Sequence, residues 1–204
     1  PAQKGKMMTN KEIRHFLHSH PYKDFSAARF EYSLYLMPET EEIANQYISE
    51  HFVPSDDDTE KEQEINNADN TDELIRLMRK PLSGTNRTLL RKKILQYENE
   101  ILPFIQRRAM TNRQDIFIEN ALYFFLHSQN NCCDWIVQSY DVFKSEYLKS
   151  MLCLVMGFRG DVSLIPMLMA ETERFERDYP SKSYEQAPIL AVQELATRFM
   201  GYSE

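Results

Sequence analysis

Glycine is scarce in this chain, with five among 204 residues, and tryptophan occurs once. Such a shortage argues against a turn-rich β-sandwich or barrel, while plentiful Leu, Met, Glu and Gln favour helix. No stretch approaches the ~18 consecutive apolar residues of a membrane span, so no bilayer crossing is expected. Lys4 and Lys6 are followed by no apolar run, so no secretory leader is read there and the chain is placed in the cytoplasm. Cysteine is equally sparse: Cys132, Cys133 and Cys153. An odd number with two neighbours adjacent makes a poor disulfide framework and fits a reducing compartment. No C-x-x-C spacing or nearby His/Asp relay accompanies them, so they are assigned to packing. The nucleophile elbow, the phosphate-binding glycine loop, H-E-x-x-H and the dinucleotide fingerprint are all missing. The chain is therefore read as non-enzymatic, with no cofactor.

Charge is unevenly spread. The net −7 divides into −1 over residues 1–53, −8 over 54–73 and +2 over 74–204. The acidic segment, PSDDDTEKEQEINNADNTDE, has Ile65 as its single large apolar residue, so burial offers little to offset its ordering entropy, and a solvated linker or long loop is expected. Asp56, Asp58 and Glu60 alternate like the start of a calcium loop, but Lys61 stands where an EF-hand needs glycine and Asn67 where it needs glutamate. The bias then reverses: Arg76, Arg79, Lys80, Arg87, Arg91, Lys92 and Lys93 lie in a stretch with no acid between Glu73 and Glu98. These cations either meet an external polyanion or are shielded by the acidic segment before them.

Helical periodicity organises the rest. Thr9 and Glu12 have capping-box spacing ahead of Ile13, Phe16 and Leu17, and Pro21 ends the run. Further helices are expected over 26–37, with Phe30, Leu34 and Met37 on one stripe, and from Pro38 to Phe52. Beyond Asp72 the apolar pairs Leu90/Ile94, Leu122/Leu126, Leu152/Met156 and Ala191/Leu195 recur at nearly regular intervals. First helices are placed at 86–96, 114–128, 145–158 and 183–199, and second helices at 98–110, 133–143 and 162–178. Within Leu152 to Leu168 an apolar helix ends at Gly157 and Gly160, Asp161 can cap the next helix, and Pro166 sits in that helix's early turns. This unit resembles a HEAT repeat of the short, bacterial type, L-x-x-L-G-x-x-G-D-x-x-x-x-P-x-L. The resemblance implies an all-α fold: a right-handed α-α superhelix of HEAT-like helix pairs over 74–204, with an amino-terminal helical segment over 1–53 and the acidic segment 54–73 between. An irregular helical bundle is the alternative.

Stacked helix pairs create a concave surface, so the expected function is protein binding, as an adaptor, regulatory or immunity-type protein with an acidic partner surface. The candidate contact residues are Arg87, Arg91, Lys92, Arg107, Arg108, Arg113 and Trp135. A second reading is nucleic-acid binding through 76–93, with the acidic segment as an internal mimic. A third borrows from a HEAT-like DNA alkylation-repair glycosylase family, for which Asp134 and Trp135 supply the residue types. No metal site is assigned, His15, His18 and His20 being the secondary candidate because an H-x-x-H-x-H run offers imidazoles but no full ligand set. Arg159-Gly160-Asp161 is read as the turn and cap of the repeat, not as a recognition tripeptide. The sequon at Asn86 is set aside on the same grounds of compartment.

Overall fold

The computed structural model describes residues 8–21, 46–47, 50–51 and 53–202. The helix expected over 26–37 lies outside the described residues; of that expected from Pro38, residues 46–47 and 50–51 are described and are helical. Among the described residues all regular structure is helical, in ten α-helices and two short 3-10 turns. They are α1 (Asn10–Ser19), α2 (Asp56–Asn67), α3 (Thr71–Leu77), α4 (Gly84–Gln96), α5 (Glu98–Thr111), α6 (Asp115–His127), α7 (Cys133–Ser139), α8 (Glu146–Arg159), α9 (Ile165–Asp178) and α10 (Gln186–Met200). From α4 onward these match the expected helices closely. The differences are short: 3-10 geometry takes over at Tyr140–Val142 and Val162–Leu164.

One expectation is overturned. The acidic segment is not an open linker, because most of it is α2, and Ile65 and Ala68 are buried. Ser55 and Asp58 close a capping box: Ser55 Oγ accepts from the Asp58 amide, and the Asp58 carboxylate accepts from the Ser55 amide and hydroxyl. Asp56, Asp57 and Asp58 complement the positive end of the helix, and Lys61 pairs with Asp57 one turn earlier. The other end is capped from a distance, since Lys93 Nζ donates to the carbonyls of Ile65 and Asn66 at 2.7 and 2.5 Å. Local charge placement and one anchored apolar residue thus supply what composition alone does not.

The chain forms two compact units. One comprises Glu31–Asn130 with Val142–Ser145, and the division falls inside the span read from sequence as one repeat domain. In it, alternate helices pack together: α2 on α4, α4 on α6, and α3 on α5. Leu90, Ile94, Ile101, Ile105, Phe117, Phe124 and Phe125 fill its interior. Asn86 Nδ2 donates to the Asp58 carbonyl and Asn120 Nδ2 to the Met78 carbonyl, so helix residues also satisfy preceding backbone. Buried Glu98 anchors the 128–130 loop by accepting from Ser128 Oγ and from the backbone and side chain of Asn130. Burial alone would raise its pKa, but these hydrogen bonds outweigh it and hold the carboxyl below its ordinary range. The anchor is therefore present at neutral pH and is lost as pH falls through that lowered value.

The other unit comprises Pro1–Phe30, Asn131–Asp141 and Glu146–Glu204. Its centre is α10, whose residues from Ala187 to Ala196 are all buried, with α1, α8 and α9 packed against it. A helix apolar on so many sides requires neighbours around it, and three supply them. Arg198 closes the end of α8 by donating to the carbonyls of Gly157, Phe158 and Gly160. Asp161 caps the adjoining 3-10 turn through the Ser163 amide, and Pro166 occupies the first turn of α9, as the motif implies.

Candidate functional site

Between α3 and α5 lies a groove of about 670 Å³ lined by Asp72, Ile75, Arg76, Arg79, Phe104, Arg107, Arg108 and Thr111. Helical spacing builds it. Arg76 lies in the last turn of α3 and Arg79 in the turn that follows it, while Phe104, Arg107, Arg108 and Thr111 form the i, i+3, i+4, i+7 stripe of α5. Ile75, which is buried, and Phe104 are the apolar side chains of its lining. Its volume falls in the range of roughly 300–1,000 Å³ typical of ligand sites.

The arginines are held in different ways. Arg76 Nη2 lies 2.7 Å from Glu64 Oε1. Arg79 donates through Nε to Gln114 Oε1 at 3.2 Å, and Gln114 Nε2 donates back to the Arg79 carbonyl at 3.0 Å. The Arg107 guanidinium stands over the Phe104 ring at 5.2 Å, a cation–π contact. Arg107 and Arg108 are exposed. Glu64 also receives Lys80 at 2.8 Å, and hydrogen bonds from Lys80 and then Arg76 hold its carboxyl below the ordinary range. The acidic segment thus does shield part of the basic stretch, through one residue of a folded helix.

The other sequence-derived candidates are dispersed. Arg87 approaches Glu119 at 4.0 Å. Arg91 donates through Nε to Asn120 Oδ1 and lies 4.6 Å above the Tyr123 ring, so it is built into the packing of α4 on α6. Lys92 is exposed on α4, and Arg113 is exposed in the loop before α6. Trp135 is half-buried on α7, in the other compact unit, with Asp134 exposed beside it. No family model, curated protein or solved structure matches this chain. What the sequence reading did not join was Arg76 and Arg79 with Arg107 and Arg108, residues it had divided between two different binding surfaces.

His20 is engaged locally, stacked on Phe16 with its ring nitrogens near the Phe16 carbonyl and Glu176, while His15 and His18 are exposed. Among the described residues no group of three or more His, Cys, Asp or Glu is placed to hold a metal ion.

All three cysteines are buried, and none forms a disulfide. Burial pushes the Cys133 thiol up to about 11 and the Cys153 thiol up to about 12, which removes the thiolate that reactivity requires. In the native protein at pH 7.5, a thiol-titrating disulfide reagent is expected to label fewer than about one cysteine in an hour, and all three after denaturation. Rapid native labelling would refute the packing assignment.

Proposed function

We propose that this chain is a non-enzymatic binding module of the HEAT-like helical-repeat kind, which takes an acidic segment of a partner protein in the α3–α5 groove. The observation that carries the reading is the convergence of Arg76, Arg79, Arg107 and Arg108, from two separate sequence regions, on one groove whose lining includes Ile75 and Phe104. Arginine is the side chain of choice at such interfaces, because its planar fork binds carboxylates bidentately and its face packs on aromatics. The alternate-helix packing of α2, α4 and α6, and of α3 and α5, supports the repeat architecture. So do the cations Lys93 and Arg198, each of which caps the carboxyl end of a neighbouring helix within its unit. On this reading α2 and α3 are a further helix pair preceding those recognised by their leucines.

Nucleic-acid binding through 76–93 receives less support. Lys80 is paired with Glu64, Lys93 with helix-end carbonyls and Arg91 with Asn120, which interrupts any continuous cationic track for a phosphodiester backbone. The test is capture from the source cell's lysate on immobilised wild-type protein and on Arg107→Glu/Arg108→Glu, with and without nuclease. A protein retained after nuclease, and weakened at least about a hundredfold by the double reversal, is the expected outcome, since each charged hydrogen bond contributes about 1.5–3 kcal/mol. Recovery only of nuclease-sensitive material, or protein capture indifferent to the reversal, would defeat the proposal.

A further inference from the structure

We infer that the α3–α5 groove reads a phosphate monoester, carried on a phosphorylated side chain of the partner protein; this rests on the protein-partner reading above and names its ligand. Charge is the first argument. Arg76, Arg79, Arg107 and Arg108 outnumber Asp72 in the groove's lining by three charges, and Glu64, 2.7 Å from Arg76, divides its single charge between Arg76 and Lys80. A phosphate monoester brings about −1.5 to −2 at neutral pH and so meets more of that excess than the single charge of a carboxylate.

Residue type is the second argument. Every cation lining the groove is an arginine and none is a lysine. Bidentate recognition of phosphate oxygens needs a planar fork, and a lysine would serve as a point charge only. The third argument is preorganisation. Gln114 holds Arg79 through Nε without using its paired terminal nitrogens, and the Phe104 ring supports Arg107. Guanidiniums ordered before binding lose less rotamer freedom when the anion arrives. Glu64 acts in the opposite sense. As Arg76's present counter-ion it competes with the incoming phosphate, so α2 tunes the affinity of the groove from within the same unit.

The test uses the full chain and fluorescein-labelled degenerate nonapeptide pools whose central residue is phosphoserine, glutamate or serine, monitored by anisotropy. The phosphoserine pool is expected to bind at least tenfold more tightly than the glutamate pool, and the serine pool not at all. Arg107→Gln/Arg108→Gln should weaken phosphoserine binding tenfold or more. Asp72→Asn and Glu64→Gln should each strengthen it several-fold, a gain that a loss of folding cannot produce. Circular dichroism on each variant verifies the helices. Equal binding of the glutamate and phosphoserine pools overturns the phosphate inference while leaving the acidic-partner reading intact. Binding of no pool overturns both. Displacement of the phosphopeptide by inorganic phosphate at equal concentration, or by a short RNA more strongly than by unlabelled phosphopeptide, overturns the assignment to a phosphorylated protein.

Discussion

Replacing Arg174 by alanine is expected to destabilise the protein by about 3 kcal/mol, because it removes the shared cation of a largely buried network and leaves its carboxylates in place. Arg174 Nη2 lies 2.7 Å from Glu146 Oε2, and its Nε and Nη2 reach both oxygens of Glu171 at 2.8 to 3.0 Å. Glu171 Oε2 also accepts from the Tyr140 hydroxyl at 2.8 Å, and Glu146 Oε1 receives Lys149 at 3.3 Å. Burial would lower the Arg174 pKa, but the hydrogen bonds it donates to Glu171 and Glu146 outweigh that and drive it upward, while burial drives the Tyr140 phenol upward. The guanidinium also packs over Phe175 at 4.4 Å, so alanine forfeits packing as well as charge. Arg174 and Glu171 side chains are 24% and 14% exposed, which places the cost near the lower end of that for a fully buried pair. At this size the loss corresponds to roughly 6–12 °C in Tm, measured by calorimetry. Arg174→Lys retains charge without the fork and should lose roughly half as much. A Tm unchanged in both variants would show the network to be incidental.

Gly157→Val is expected to cost about 3 kcal/mol, by forcing α8 and α10 apart where their backbones approach closely. A Cβ at 157 would lie 2.6 Å from both Cα and Cβ of Ala191 and 3.3 Å from its carbonyl oxygen. Backbone atoms cannot rotate out of the way, and the α8 end is further fixed by Arg198, which donates to the Gly157 carbonyl at 2.6 Å. Gly157→Ala decides the sign most sharply. Helix propensity favours alanine by up to about 1 kcal/mol, so a net loss on that substitution isolates the steric term. Ala191→Gly in the Gly157→Ala background relieves the clash with the Ala191 methyl but leaves the clash with its backbone, and should recover only part of the loss. Both are read from urea denaturation at constant slope. Equal or greater stability of Gly157→Ala would show that the helices separate freely at this point.

How much was legible differs by element. The leucine-type pairs from Leu90/Ile94 to Ala191/Leu195 are all buried, and α4 to α10 lie where the periodicity places them. Those helices bury a broad apolar stripe, so the pattern is written many times over. The turn motif after Gly157 was equally plain, since Asp161 and Pro166 act through their immediate neighbours. In α2, by contrast, only Ile65 announces an inward face, and the acidic composition around it reads as solvated chain; its Ser55–Asp58 capping box is seen in the structure. That helix depends on α4 for its anchor and its distal cap, and neither interaction leaves a local trace.

The candidate groove shows the same boundary between local and distant causes. The helices of the described residues, their apolar stripes and the cap at Asp161 could be read from sequence, because each comes from periodicity or from residues a few positions apart. Tertiary structure alone decided that Arg76 and Arg79 meet Arg107 and Arg108, and that Lys80, Arg91 and Lys93 are engaged within the chain. Charged surface residues are under no periodic constraint, so their spacing along the chain does not say which of them share a face. Only the packing of α3 on α5 brings two basic clusters, some thirty residues apart, to opposite sides of one groove.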